Sequence, residues 1–236
     1  ASQPDFAEAL SDRASLHADL GDMEKAKQDL TKALSLDSDN RQMRYRLAVL
    51  NLQQATAGPK QEKMSPLEKS ALLQNAVDLL TAALDSPAEP ATDEEIDDEQ
   101  LRLARAVALV ELAGNSLDGT IQQSHIQAAL EDCTQVTAAK PELAAAHFQR
   151  GVALRLLQRY RDAIGAFSET LRLAPENTEA HIRRGIAWYH LDEFDLALSD
   201  FNAVGVLPGD ARPWFWTGVI DARRGDHLEA IRAYSE

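Results

Sequence analysis

Small, apolar and polar residues alternate along the chain with the spacing of amphipathic helices, and the alternation recurs at a longer fixed interval. The run Ala144, Ala145, Ala146, His147, Phe148, Gln149, Arg150, Gly151 is echoed 34 residues later by Thr178, Glu179, Ala180, His181, Ile182, Arg183, Arg184, Gly185. Counted from the first residue of each unit, Tyr160, Ala163, Phe167 and Pro175 stand at positions 17, 20, 24 and 32; Phe194, Ala197 and Phe201 repeat the first three in the next unit. The same frame fits residues 7–40, with Leu20, Gly21 and Asp22 at the turn between helices and Ala26 and Ala33 at positions 20 and 27. It fits again from Ala211, with Gly218 at position 8, Gly225 and Asp226 at the turn and Ala230 at position 20.

Two middle units keep the frame with interruptions. Arg41 to Gln54 is expected as a first helix, but Ala76 and Ala83, at positions 20 and 27 of its partner, arrive 16 residues late. Ala57, Gly58 and Pro59 break the helix, and Ser65, Pro66, Leu67 and Glu68 restart one as N-cap, first-turn proline and the glutamate of a capping box. Glu99 to Ala113 and Ile121 to Lys140 form the next expected pair, with Ala129 and Pro141 at positions 20 and 32, and with Gly114, Asn115 and Gly119 lengthening the turn. The acidic stretch 89–99 contains Thr92 to Glu95, a second capping box whose carboxylates oppose a helix dipole. It lacks the alternating oxygen ligands and glycine of a calcium loop.

This pattern resembles the tetratricopeptide repeat family. The resemblance implies an all-α fold: a right-handed α-solenoid of about six helix-turn-helix pairs, forming one array over residues 1–236 with units 7–40, 41–86, 99–143, 144–177, 178–210 and 211–236. It also implies that the first helices line a concave groove in which a protein or peptide lies, so the expected function is that of a scaffold or adaptor. Chaperone-binding members of the family clamp a terminal carboxylate with Lys and Asn at fixed groove positions. Here the corresponding residues are Phe148, Val152, Arg183, Arg212 and Trp216, so a chaperone-tail adaptor is not expected.

Helix geometry separates the faces. At about 100° per residue, first-helix positions 1, 4, 8 and 11 form the pairing face, where Gly151, Gly185 and Gly218 let a second helix approach. Positions 2, 6, 9 and 13, flanked by 5 and 12, lie opposite and form the expected binding face. Its apolar rows in the last three units are Phe148, Ile182 and Phe215, then Val152, Ile186 and Val219. Lateral packing between neighbouring first helices is a second account of those rows. Arg155, Arg183, Arg212 and Arg223 stand beside them against a single acid, Glu179, and arginine forks carboxylates and stacks on rings such as Tyr189 and Trp216.

Composition narrows the partners. The net charge of −14 opposes nucleic-acid binding, which needs cations to displace counterions from phosphates. The charge is uneven: residues 1–143 carry 13 basic and 25 acidic side chains, residues 144–236 carry 11 and 13, and no lysine follows Lys140. The first unit offers Glu8, Asp12 and Asp19 where the last three offer arginine. The expected partner is therefore an acidic protein or peptide with apolar anchors, bound by the C-terminal units. No run approaches the roughly 18 apolar residues of a membrane span, so a soluble chain is expected, in the cytoplasm, with an exported or periplasmic location left open.

Catalytic chemistry is not expected. His147 and His181 fall on the pairing face as core histidines rather than a zinc pair, His190 falls on the binding face, and Cys133 takes the core slot held by Phe167 and Phe201. One cysteine excludes an internal disulfide. There is no phosphate-cradling glycine loop, nucleophile elbow or His-Glu-x-x-His motif, and no cofactor or metal is expected. Adjacent acids such as Glu94 and Glu95 are not a general acid and base without a cleft to separate their pKa values.

Two alternatives stand beside the adaptor: a regulatory or localisation segment of a larger kinase or transferase, and a self-assembling scaffold. The last unit stops at position 26, so an exposed apolar end near Trp214, Ala230 and Tyr234 is expected to be covered by further repeats or by a second copy.

Overall fold

The structure, a computed structural model, describes residues 3–57, 64–86, 96–115, 118–204 and 210–235. Among them are twelve α-helices and no strand. They are α1 (Gln3–Asp19), α2 (Met23–Leu36), α3 (Arg41–Thr56), α4 (Pro66–Asp85), α5 (Asp98–Asn115), α6 (Gly119–Ala139), α7 (Ala144–Leu156), α8 (Tyr160–Leu173), α9 (Thr178–His190), α10 (Phe194–Val204), α11 (Arg212–Arg224) and α12 (His227–Ala233). The chain divides into two compact units, Ala1–Val136 and Thr137–Glu236.

Local chemistry sets the helix ends. Ser65 and Glu68 form the expected capping box, with Pro66 opening α4. Asn40 accepts from the Met43 amide and Asn177 from the Ala180 amide, each satisfying a donor that the helix itself cannot. The turns inside four pairs place one residue at positive φ: Gly21 (79°), Gln158 (59°), Asp192 (60°) and Gly225 (89°). One expected turn differs. Gly119 is the first residue of α6 because the Asp118 side chain accepts from the Thr120 and Ile121 amides and starts the helix there. Gly114 and Asn115 end α5. The breaker at Gly58 and Pro59 and the capping box at Thr92 to Glu95 lie outside the described residues.

In the N-terminal unit, α1 and α2 bury Ala14 and Leu30 together with Met43 and Leu47 of α3. α3, α4 and α5 bury Ala48, Leu73, Ala76, Leu80 and Leu101, and α5 meets α6 through Ala106, Leu109, Ala129 and Cys133. The cysteine is fully buried, as its core slot requires.

In the C-terminal unit the pairs are α7 with α8, α9 with α10, and α11 with α12. A Cβ on Gly151 would stand 2.6 Å from Phe167 Cε1, and one on Gly185 would stand 2.6 Å from Phe201 Cε1. Gly218 stands in the same relation to Tyr234, again at 2.6 Å. Only glycine admits the opposing ring at this depth. The expected exposed end is corrected in part. Ala230 is buried and Trp214 partly so, whereas Tyr234 is exposed as expected, with Leu228 and Ile231 of α12 exposed beside it.

Candidate functional site

α9 packs against both α7 and α11, and this decides which of the expected binding residues reach the surface. Val152 and Ile182 do not: both are buried, because the rows between neighbouring first helices are consumed by lateral packing. Ile186, Tyr189 and Trp216 are partly buried against the core of Ala197, Phe201 and Ile220, and Val219 is partly buried too. Phe148 is half-buried, its ring 5.9 Å from that of Phe167. Phe215 is 52% exposed and is the open apolar residue of the face.

The four arginines are not equivalent. Arg183 lies 5.7 Å from the centre of the Phe148 ring and donates through Nε to Glu179 Oε1 at 2.7 Å. Arg212 reaches Glu179 Oε2 at 2.8 Å and forks Asp210 at 2.9 and 2.8 Å, which raises its pKa above the ordinary arginine value, the Asp210 hydrogen bonds most of all. Arg223 sits 5.4 Å from Tyr189 and 5.5 Å from Phe194 while pairing with Asp192 at 3.0 Å. Arg155 differs from all three. Among the described residues it has no carboxylate partner, and its Nε is buried without a hydrogen-bond acceptor. Desolvation, and then the Arg183 charge, lower its pKa.

Two stacked rings stand within electrostatic reach of Arg155. Tyr160, at the start of α8, lies parallel to His190 with centroids 4.5 Å apart, and Tyr189 meets His190 edge-on at 5.6 Å. Desolvation holds the His190 pKa below its usual value, and the charges of Arg155 and Arg223 push it further in the same direction. Trp216 packs on Tyr189 at 5.1 Å and on Phe215 at 5.7 Å; among the described residues no arginine stacks on it.

A second set of arginines went unread in the sequence. Arg13 forks Asp29 with two bonds of 2.6 Å. Arg105 forks Asp132 at 2.8 and 2.7 Å, and Arg184 forks Asp200 at 2.9 and 2.7 Å. All three carboxylates are buried. Each fork joins position 7 of a first helix to position 23 of its partner, in the first, third and fifth units. The available signal was the pairing of Arg with Asp 16 residues on, at Arg13 and Asp29 and at Arg184 and Asp200. His181 adds a contact of 2.9 Å to Asp200, and His147 one of 2.8 Å to the Pro141 carbonyl, so both histidines serve packing. Among the described residues no three His, Cys, Asp or Glu side chains are grouped as metal ligands.

Two segments, residues 7–40 and 157–204, match family profiles described as the tetratricopeptide repeat. Helix pairing throughout the described residues agrees with them. The chain contains tetratricopeptide repeats. Its fold is shared with solved tetratricopeptide structures at low identity. YrrB, described as a TPR protein with an unusual peptide-binding site, is 16% identical with a TM-score of 0.60, the match covering 96% of this chain and 91% of that one. TTC0263, a thermophilic TPR protein of Thermus thermophilus, is 17% identical at a TM-score of 0.58, covering 94% and 98%. MamA of MSR-1 is 18% identical at 0.60, covering 84% and 94%. No curated protein sequence matches the chain. No helix among the described residues is long and apolar enough to cross a membrane.

Proposed function

We propose that the chain is a protein-interaction scaffold whose C-terminal unit binds an acidic, apolar-anchored peptide segment along α7, α9 and α11, and that it holds its partner rather than transforming it. The observation that carries this reading is the layering of arginine on aromatic rings along that face: Arg183 over Phe148, and Arg223 over Tyr189 and Phe194, in a chain of net charge −14. Rings supply anchoring area at low entropic cost, and the guanidinium groups held over them, though paired with Glu179 and Asp192, keep this face more cationic than the rest of the chain, which favours an acidic segment. Phe215 adds an open apolar surface beside them. The fold shared with YrrB, itself described as having a peptide-binding site, supports a binding role in general terms.

The test is an array of twelve-residue peptides that combine acidic residues with a Leu or Phe anchor, probed with the intact chain. Binding should weaken severalfold or more in Arg183→Glu/Arg223→Glu, and raised salt should weaken the wild-type signal in parallel. Retention of the peptides by the double variant at unchanged affinity would move the binding surface elsewhere on the chain.

A further inference from the structure

Charge counting along the face leaves one group over. The arginines of the face are Arg155, Arg183, Arg212 and Arg223, and the acids paired with them are Glu179, Asp210 and Asp192. Glu179 is the acid whose charge Arg155 senses, yet both of its oxygens are already taken, Oε1 by Arg183 and Oε2 by Arg212. Arg155 thus stands half-buried, with an Nε that has lost water and found no acceptor, next to a like charge. A guanidinium cannot escape this by giving up its proton, and a desolvated cation without a counter-ion is costly. A buried group left without a partner calls for an explanation, and a ligand that supplies the missing counter-charge is one.

We propose that Arg155 is the seat of a single ligand carboxylate, near the stacked rings of Tyr160 and His190 and beside the guanidinium of Arg183. The inference rests on the peptide-binding reading above and assigns it an anchor point. Arg183, Arg212 and Arg223 already have protein carboxylates, so an incoming acid gains least there. At Arg155 it would meet the terminal guanidinium nitrogens, which among the described residues have no protein carboxylate. One surplus positive charge fits one monoanion, and the planar fork fits a carboxylate. The carboxylate is that of an Asp or Glu side chain or of a chain terminus, and the two sources can be separated by experiment.

The experiment compares three peptide series on intact wild-type, Arg155→Gln and Arg155→Lys chains. In the first series, blocked twelve-residue peptides carry one Phe anchor and one Glu at every spacing from it; in the second, Gln replaces the Glu; in the third, an unblocked C-terminus replaces the Glu. Wild type should favour Glu over Gln by about tenfold or more at one spacing, the scale of a charge-assisted hydrogen bond. That ratio should fall to near one in Arg155→Gln, with the anchor contribution kept, and to an intermediate value in Arg155→Lys, which retains charge without the fork. Preference for the third series over the first identifies a terminal carboxylate.

Nuclear magnetic resonance of His190 gives a second readout. Arg155→Gln, and separately the bound Glu peptide, should raise the His190 midpoint, and the Gln peptide should not. Circular dichroism melting of both variants checks that the helices persist. A Glu-to-Gln ratio that survives in folded Arg155→Gln overturns the subsite. Peptide binding with no Glu preference in wild type also overturns it and leaves a merely apolar binding face. Absence of binding in every series overturns the subsite together with the function proposed above.

Discussion

The two units solve the same packing problem with different residues. Where the first helix of a pair crosses its partner, the N-terminal unit places alanine opposite a medium side chain. Ala14 and Leu30 share one core, as do Ala48 and Leu80, and Ala106 and Cys133. The C-terminal unit shifts the volume across the interface, setting Gly151 against Phe167, Gly185 against Phe201 and Gly218 against Tyr234. Removing a methyl from one helix admits a ring from the other, and close packing is conserved. What the exchange changes is surface chemistry. The C-terminal unit brings rings up to the first-helix face, where Phe167 meets Phe148, and arginines settle on them. In the N-terminal unit Arg13 and Arg105 are spent on the buried acids Asp29 and Asp132, and Arg41, itself buried, reaches out to the exposed Asp98.

The buried forks are common to both units, and breaking one should have the largest effect. Asp200 takes bonds from Arg184 and a contact from His181 with its own side chain only 5% exposed. Asp200→Ala leaves the partly buried Arg184 with Ser168 Oγ but without its carboxylate; removal of one partner of a buried pair costs about 3 to 5 kcal/mol, and the partial exposure of Arg184 puts the expected loss near the lower figure. Urea unfolding should show a loss of that order. A change no larger than that of a surface substitution would mean that the fork is not a structural element.

The glycine-ring exchange comes next. Gly151→Ala should destabilise by about 1 to 3 kcal/mol, since the new methyl overlaps a fully buried Phe167 ring that has nowhere to turn. Helix propensity favours alanine by about 1 kcal/mol and offsets part of the clash. Adding Phe167→Leu recreates the Ala–Leu pair of the N-terminal unit, so the double variant should be more stable than Gly151→Ala alone. Simple additivity of the two single changes in a double-mutant cycle would break the comparison.

These pairs were legible in the sequence to different degrees. Gly151, Gly185, Phe167 and Phe201 announce themselves by recurring at one interval, because packing across a repeat interface leaves a periodic trace. The burial of Val152 and Ile182 was open, since positions facing a ligand and positions facing the next first helix differ by less than one helical step. The forks were hidden because they join two helices through charged residues that also suit a solvated surface. The isolation of Arg155 could not be read at all. It depends on Glu179 being claimed from both sides by Arg183 and Arg212, one from its own helix and one from α11.

Acid should sharpen the difference between the forks. The Arg13 hydrogen bonds hold the Asp29 carboxyl below its ordinary pKa, against a smaller opposing desolvation. A folded-state pKa below the unfolded value means that this contribution is present above the unfolded pKa of about 3.9 and is lost as pH falls through the folded one. Asp29→Asn should therefore melt lower than wild type near neutrality and converge with it as pH falls below that range. The effect should be smaller than that of Asp200→Ala because Arg13 is 59% exposed and its pair is screened by water. A constant difference in melting temperature from pH 6 to pH 2 would remove Asp29 from the acid response.

The smallest effect lies in the turns. Gly21 in the N-terminal unit and Gln158 in the C-terminal unit hold the same place in their repeats, both at positive φ, 79° and 59°. The turn fixes that conformation for either residue: in the C-terminal unit the Gln158 amide bonds to the Arg155 carbonyl at 2.9 Å and Arg159 to Leu154 at 2.9 Å. A side chain in the left-handed region costs roughly 1 to 2 kcal/mol, whereas glycine there costs only the extra freedom it loses on folding, about 0.5 to 1 kcal/mol. Gln158→Gly should thus stabilise the chain slightly, by about 0.5 kcal/mol, and Gly21→Gln should destabilise it by a similar amount. Both are read as shifts of the urea midpoint at constant slope. If Gln158→Gly lowers the midpoint, the glutamine side chain contributes more at that turn than its backbone strain costs, and the two turns are alike in conformation but not in what holds them.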